Sequence, residues 1–181
     1  MSYCITEVRH REFPDPGAVS TALAPLGITL DEITGAFTGF ICALATESRA
    51  FHVELAGHLK THLANVLGRE GLRPSRMVND LAYSRSLPGH ADFGLVHQRT
   101  NKRVLFQVEF GPSIERDLIH FQIGVNEGTL AAAVLLVPID RATAGSALAG
   151  IADFEAVLRL VAAVRPGYPL VVVGLRGSPL A

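Results

Sequence analysis

The sequence contains little cysteine, little lysine and no long apolar run, and each shortage excludes a class of protein. Its two cysteines, Cys4 and Cys42, lie far apart and belong to no CxxC or Cys/His cluster. Their separation argues against a disulfide framework and against a structural zinc site. The longest apolar run, Leu130–Pro138, is well short of the ~20 residues that a membrane-spanning helix needs. Since the N-terminus also lacks a charged region followed by an apolar segment, we expect a soluble, cytoplasmic protein without a membrane partner.

An excess of positive charge is missing as well. Sixteen Lys and Arg residues oppose seventeen Asp and Glu residues, so the formal net charge is −1. A protein that surrounds nucleic acid with cations would show a strong positive excess, so any nucleic-acid surface must be local. Only Lys60 and Lys102 are lysines. Arginine suits bidentate contacts with phosphate or guanine, although a GC-rich coding sequence explains an arginine-rich chain equally well.

Several common catalytic signatures are also absent from the sequence. It contains no P-loop, no Rossmann glycine fingerprint, no GxSxG motif and no Cys/His nucleophile motif. These absences argue against a nucleotide-binding fold of either type and against a hydrolase of the nucleophile-elbow type.

Apolar periodicity along the 181 residues predicts a central mixed β-sheet flanked by helices, which is an α/β or α+β fold. The predicted strands cover residues 3–8, 91–96, 104–110, 130–137 and 170–173. The predicted helices cover residues 31–44, 46–67, 114–125 and 151–164. Residues 14–17 have the composition of a turn. Because no repeat or linker is visible, we expect residues 1–181 to form one domain.

The predicted hairpin formed by residues 91–96 and 104–110 carries the polar residues of greatest interest. In its second strand, Gln107 and Glu109 lie on one face, while Phe106 and Val108 lie on the other. Asp92 begins the partner strand, so the carboxylates of Asp92 and Glu109, one from each strand, can lie close to the Gln107 amide. Oxygen-rich clusters of this kind hold Mg²⁺, which can activate water and stabilise charge on a phosphate. The alternative is that Gln107 and Glu109 form the solvated face of an edge strand, as half-exposed strands commonly do.

The segment Ala-Asp-Phe-Gly at residues 91–94, followed by a hairpin and then by the pattern hydrophobic-x-Val-x-Phe-Gly, resembles the BglII- and BamHI-like restriction endonucleases of the PD-(D/E)XK class. In that family an Asp on one strand precedes a Glu-x-Gln or Glu-x-Glu pair on the next. The likeness continues through residues 116–122 and the strand ending at Pro138, and weakens towards residue 175. The resemblance implies a restriction-endonuclease-like core over about residues 79–175.

The resemblance also implies an activity, partners and a set of residues. It implies a type II site-specific deoxyribonuclease, homodimeric and Mg²⁺-dependent, that hydrolyses double-stranded DNA at a palindromic site. Asp92, Gln107 and Glu109 would be the catalytic and metal-binding residues. The DNA-binding candidates are Arg141, Thr143 and Ser146 in the loop 140–150, for which a flexible polar loop is the alternative, together with Asn79 near a polar active-site position of the family.

Two departures from the family pattern leave the activity open. The interval between Asp92 and the polar pair is longer than in the family, and Gln107 stands where the family has a metal-binding Glu. A neutral amide is a weaker Mg²⁺ ligand than a carboxylate, so Gln107 either inactivates the site or belongs to a working Gln-x-Glu variant. The rival functions are a nuclease of the same class acting in repair or phage defence, and a catalytically inactive DNA-binding relative.

Other polar residues have alternative interpretations. His58 and His62, one helical turn apart, could share a metal, but without a third ligand we expect surface or packing histidines. Glu54 could reach the site from its helix or belong to a solvated helix face. Arg116 and Asp117 fit an intrahelical pair or a dimer contact. We also expect the helix 114–125 to contribute to a dimer interface through an apolar face that its own core uses only in part, formed by Ile114, Leu118 and Phe121.

Overall fold

The computed structural model describes residues 2–43, 51–75, 81–83, 89–109, 114–139 and 153–179. The strands are β1 (Ser2–Phe13), β2 (Ile41–Ala43), β3 (Leu72–Ser75), β4 (Phe93–His97), β5 (Arg103–Val108), β6 (Leu130–Pro138) and β7 (Leu170–Pro179). The helices are α1 (Ala18–Leu23), α2 (Leu30–Gly35), α3 (Phe51–Leu67), α4 (Ile114–Asn126) and α5 (Phe154–Val164), with a 3₁₀ turn at Ala24–Leu26. None of the described helices is both long and apolar enough to span a membrane.

The seven strands form one mixed sheet in the order β2-β1-β7-β6-β5-β4-β3. Strand β6 pairs in parallel with both β5 and β7. Strands β3, β4 and β5 form an antiparallel meander, and β1 pairs antiparallel with β7 and β2. The prediction of a mixed sheet flanked by helices is confirmed. The parallel connections run through α4 and α5, as parallel strands require a crossover between them.

Two apolar layers cover the faces of the sheet. The first contains the inward residues of α1, α2 and α3, with Phe106, Val134 and Val173 from the sheet. The second contains those of α4 and α5, with Leu105, Leu135 and Val172. Successive residues of β6 therefore point into opposite layers, which explains why this strand is apolar at every position.

Helix α3 has the predicted apolar stripe, and that stripe fixes its orientation. Four leucines of this helix are buried against the sheet: Leu55, Leu59, Leu63 and Leu67. Just beyond its last turn, the Arg69 guanidinium donates to the Glu32 carboxylate on α2 at 2.6 Å. Glu32 also completes a capping box with Thr29 at the start of α2. With its apolar face fixed in this way, α3 presents residues 56, 57 and 60 towards the ends of β4 and β5.

The prediction of a helix at residues 31–44 is wrong in its second half. Helix α2 ends at Gly35, and Gly39 has a φ of 71°, which an L side chain rarely adopts. The chain then pairs with the start of β1 as the short strand β2. Apolar residues at 40–43 suit a helix or a strand equally, and the tertiary pairing with β1 decides between them.

The predicted apolar dimer face on the helix 114–125 is also wrong. Ile114, Leu118 and Phe121 are buried within the α4 and α5 layer of their own chain. The exposed apolar residue on α4 is instead Ile119, with 60% of its surface accessible. Any contact that α4 makes with a second copy must therefore use a different face from the predicted one.

Candidate active site

Strand pairing places Asp92 directly against β5. Its backbone N–H donates to the Phe106 carbonyl at 3.1 Å, and its carboxylate accepts from the Val108 N–H at 2.9 Å. The carboxylate is thus fixed between positions 107 and 109 of the neighbouring strand. Burial raises the pKa of Asp92, opposed by the Val108 hydrogen bond and the positive charge of Lys60. A partly desolvated carboxylate of this kind has a strong tendency to take a cationic partner.

The three residues predicted from the hairpin share one cavity of about 450 Å³. Its walls come from α3 on one side and from the start of β4 and the end of β5 on the other. The lining residues are Ala56, Gly57, Lys60, Asp92, Gln107, Val108 and Glu109. Asp92, Gln107 and Glu109 are therefore brought together. Glu54 on α3, a further acid that the sequence suggested for the site, does not line the cavity.

Gln107 is held by a residue that the sequence did not indicate. The Tyr83 hydroxyl donates to the Gln107 side-chain oxygen at 2.6 Å. Tyr83 is buried and lies against His120, with ring centroids 4.9 Å apart. Burial, followed by the negative charges of Asp117 and Asp92, raises the pKa of Tyr83, so its hydroxyl remains a donor. The amide oxygen of Gln107 therefore already accepts one hydrogen bond before any ligand enters.

The segment that carries Tyr83 is fixed by a buried arginine. The Arg103 guanidinium donates to the Ala82 carbonyl and to the Thr129 hydroxyl, both at 2.6 Å. Through Ala82, this side chain joins residues 81–83 to β5 and to the turn that precedes β6. These hydrogen bonds anchor the residue next to Tyr83, and so help to hold Tyr83 against Gln107.

Asp117, on the first turn of α4, is a second missed residue. It is only 1% exposed and shares a hydrogen bond with Glu109. Burial first, and then the hydrogen bond with Glu109 and the charge of that residue, raise the pKa of Asp117 to about 7. The raised pKa of Asp117 favours its protonated form, which can donate to the Glu109 carboxyl group and orient it. Arg116 lies 4.0 Å from Asp117 as an intrahelical pair, but its side chain is largely exposed and screens the acid weakly.

A second cavity, of about 550 Å³, adjoins the first. Gln107 lines both cavities. The remaining residues of the second cavity are Tyr83, Gly89, His90, Arg116, Asp117 and His120. Burial and the positive charge of Arg116 lower the pKa of His120, which favours a neutral imidazole there. Within the described residues, one carboxylate oxygen of Asp117 and Nδ1 of His120 are buried without a hydrogen-bond partner.

Lys60 is the third residue that sequence reasoning missed. It is half-buried on α3 and lines the first cavity one helical turn after Ala56 and Gly57. The available signal was a rare lysine that follows two small residues on the part of the helix surface beside the leucine stripe. Residues 56 and 60 are neighbours on a helix surface, so small residues there leave a path for the lysine side chain.

The donor set fits a hard cation that uses few protein ligands. Among the described residues, no three side chains of the His, Cys, Asp and Glu types lie close enough to hold a metal ion. Mg²⁺ commonly takes one or two carboxylates and completes its shell with waters and substrate phosphate oxygens. Asp92 and Glu109 supply two carboxylates on one cavity, with the Gln107 amide beside them.

The remaining predicted residues divide into two groups. His62 contacts the Ala36 carbonyl at 2.6 Å and lies against Phe40, so it is a packing histidine, as expected. The DNA-binding candidates Asn79, Arg141, Thr143 and Ser146 lie outside the described residues.

No family model matches the sequence, and no curated protein shows significant similarity to it.

Proposed function

We propose that the protein is a Mg²⁺-dependent endonuclease that hydrolyses phosphodiester bonds of double-stranded DNA. The observation that carries this proposal is the convergence of Asp92, Gln107 and Glu109 in one cavity, with the Asp92 carboxylate fixed by the Val108 N–H. The order α3, β3, β4, β5, α4, β6, with an antiparallel meander followed by a parallel strand, supports a restriction-endonuclease-like core. The sequence resemblance to the BglII- and BamHI-like enzymes points to the same class.

Each residue of the cavity has a separate role in the proposed reaction. Mg²⁺ bound there would neutralise phosphate charge and help to activate water. Asp92 and Glu109 offer carboxylate ligands, and Asp117 keeps Glu109 oriented through their hydrogen bond. Gln107, fixed by Tyr83, offers an amide with a defined orientation. Val108 contributes its N–H, which holds Asp92 in place for the incoming phosphate.

We further propose that two copies act together as a type II restriction enzyme. A palindromic site has two-fold symmetry, and a symmetric dimer brings one active site to each strand. A nuclease of the same class with a repair or phage-defence role would share the cavity but would not need a palindromic site.

One specific observation favours a second candidate, a DNA-binding relative with weak or no catalysis. The position that a carboxylate would occupy holds Gln107, whose oxygen is already engaged by Tyr83. The site is therefore one negative charge short of three acids and would bind a divalent cation less tightly. Such a protein would retain its DNA surface without cutting at an appreciable rate.

Plasmid cleavage tests the proposal directly. Supercoiled plasmid is incubated with the wild type and with Asp92→Asn in Mg²⁺ or in EDTA, and gel shifts are recorded in Ca²⁺. The Asn oxygen can still accept from Val108, so the fold is retained while the charge is lost. We expect Mg²⁺-dependent cleavage that falls at least about 100-fold in the variant, the scale of losing a metal-assisted step.

The products then separate the candidates. Discrete fragments indicate a site-specific enzyme, whereas a continuous smear indicates a nuclease without sequence preference. DNA binding without cleavage by the wild type indicates the catalytically weak relative. Absence of both DNA binding and cleavage would overturn the proposal.

A further inference from the structure

The cavity lined by the Asp92 and Glu109 carboxylates is also lined by a cationic side chain, that of Lys60. Lys60 lines it from α3, and Asp92, just before β4, and Glu109, just after β5, line it from the sheet. The buried leucines 55, 59 and 63 on the adjoining face fix the rotation of the helix, so Lys60 keeps its position beside the cavity. Space beside it is open, because a Cβ placed at Gly57 would meet no atom within 4 Å. The geometry therefore leaves room for a ligand between the lysine and the carboxylates.

The charges of this cavity select an anionic ligand that arrives with a cation. Asp92 and Glu109 alone would repel a phosphodiester, since like charges a few ångströms apart are unfavourable in a partly desolvated site. A divalent ion offsets that repulsion on the β4 and β5 side. Lys60 offers a second positive charge on the α3 side, where the described lining is otherwise formed by Ala56 and Gly57.

We propose that Lys60 is a catalytic residue whose ammonium group contacts a non-bridging oxygen of the phosphodiester that is cut. This inference rests on the proposed nuclease function. As water attacks, its oxygen forms a bond to phosphorus, the bond to the leaving oxygen breaks, and the water proton passes to solvent while the leaving oxygen gains one. The ammonium group of Lys60 stabilises the negative charge on the equatorial oxygens. Fixed cations at such oxygens commonly provide a large share of the catalysis in phosphoryl transfer.

The positive charge of Lys60 should oppose binding of a metal ion but favour binding of DNA phosphate. This difference distinguishes a catalytic role from a structural one. In the free protein Lys60 faces the same carboxylates as a metal ion would, so its loss should leave metal affinity unchanged or raise it. In the complex with DNA its loss removes a phosphate contact, so cleavage should slow. A residue that only supports the fold would lower both together.

Because the sequence has only two lysines, Lys102 is the matched control for substitutions at Lys60. Lys60→Met keeps the apolar stem and removes the charge, whereas Lys60→Arg keeps the charge. Lys102, the only other lysine in the sequence, lies in the turn between β4 and β5 and donates to the Gly128 carbonyl at 2.6 Å. It does not line the cavity, so Lys102→Met should behave as the wild type in every assay.

Single-turnover cleavage and Mn²⁺ titration calorimetry are the first pair of measurements. We expect Lys60→Met to cut at least about 100-fold more slowly than the wild type, with Lys60→Arg within about tenfold of it. Mn²⁺ affinity of Lys60→Met should equal or exceed that of the wild type. Cleavage by Lys60→Met at the wild-type rate, while Asp92→Asn is inactive, would overturn the role of Lys60 and leave the nuclease function standing.

Amine labelling tests the contact without relying on catalysis. Acetylation with an N-hydroxysuccinimide ester in Ca²⁺, with and without duplex DNA, is followed by peptide mass analysis of both lysines. We expect DNA to protect Lys60 at least about tenfold while Lys102 reacts equally in both samples. Equal labelling of Lys60 with and without DNA would overturn the proposal. Protection of Lys60 in a protein that does not cut would retain the phosphate contact and reject the nuclease function.

Discussion

At position 107 a neutral amide shares a cavity with two acids, and its orientation is fixed by Tyr83. A Glu side chain has nearly the same length and could keep the tyrosine contact as a stronger, charge-assisted hydrogen bond. The added charge would bring the donor set to three carboxylates. Within the proposed function, residue 107 is therefore the position that separates an active nuclease from a DNA-binding relative.

We expect Gln107→Glu to raise the rate of Mg²⁺-dependent cleavage by at least about tenfold, equivalent to ~1.4 kcal/mol of activation barrier. The reason is tighter metal binding by a carboxylate than by an amide. Plasmid cleavage of both forms in Mg²⁺, with gel-shift affinity in Ca²⁺ as the control for DNA binding, measures the effect. If the Gln form cuts as fast as the Glu form, the Gln-x-Glu order is a working variant.

Asp117 makes the stability of the fold depend on pH. Its pKa is raised to about 7 in the folded protein, above the value of about 4 in an unfolded chain. The stability that its neutral form contributes is complete below pH ~4 and is lost as pH rises through ~7. Asp117→Asn stays neutral, so its free energy of unfolding relative to the wild type should rise between pH 5 and pH 8, by at most about 3 kcal/mol.

Urea unfolding at pH 5, 6, 7 and 8 measures this difference. The matched control is Asp31→Asn, which removes an exposed carboxylate on the first turn of α2. Its pH profile should run parallel to that of the wild type. A parallel profile for Asp117→Asn would show that the Asp117 carboxyl ionises without cost to the fold.

At the scale of elements, apolar periodicity predicted a helix or strand correctly where that element buries one face, or buries both faces in a continuous apolar run. The leucine stripe of α3 and the apolar run of β6 were predicted for this reason. Strand β1 extends to Phe13, beyond the predicted residues 3–8, because its whole length pairs with β7. Pairing between segments so distant in the chain leaves no local pattern to read.

The candidate site divides in the same way. Asp92, Gln107 and Glu109 were found because one hairpin brings them together locally. Asp117, Tyr83 and Lys60 come from separate elements, and only packing shows that they face the hairpin. An acid in the first turn of a helix usually faces solvent, so the burial of Asp117 could not be read from its position.

Gly57 on α3 allows the helix and the cavity to be tested separately. A Cβ there meets nothing within 4 Å, so Gly57→Ala should stabilise the helix by about 0.5–1 kcal/mol without blocking the site. Gly57→Leu should also fold, but its side chain should occupy the cavity and exclude DNA phosphate. Thermal unfolding and plasmid cleavage of both variants give the two effects.

The control for bulk on α3 is Asn65→Leu, at an exposed position outside the cavity lining. It should leave cleavage unchanged. Full activity of Gly57→Leu would mean that the substrate does not enter between α3 and β5, and it would remove the cavity as the active site.

At the scale of the whole molecule, a net charge of −1 limits how the proposed DNA substrate would be bound. Such binding could not depend on a generally positive surface, so we expect its contacts near the cavity and at further arginine-bearing segments. A dimer doubles those contacts and matches the symmetry of a palindromic site. The proposed assembly and the proposed substrate therefore depend on each other.

We expect the protein to be a two-fold dimer in solution and on DNA. The inward face of α4 is used by its own core, and the apolar residue that α4 exposes for a contact is Ile119, which is 60% accessible. An arginine there would place two charges against each other across the symmetry axis, which is costly in a desolvated contact. Ile119→Arg should therefore shift the mass towards the monomer and reduce double-strand cleavage more than single-strand nicking.

Light scattering over a range of protein concentrations, with and without duplex DNA, measures the mass, and circular dichroism confirms that the variants are folded. Val66→Arg on α3 is the matched control, since Val66 is 52% exposed and lies on the opposite side of the sheet from α4. It should remain dimeric, because any two-fold contact through α4 leaves that side free. If Ile119→Arg keeps the wild-type mass, α4 lies outside the interface; a monomer mass for the wild type at every concentration, free and bound to DNA, would reject the dimer itself.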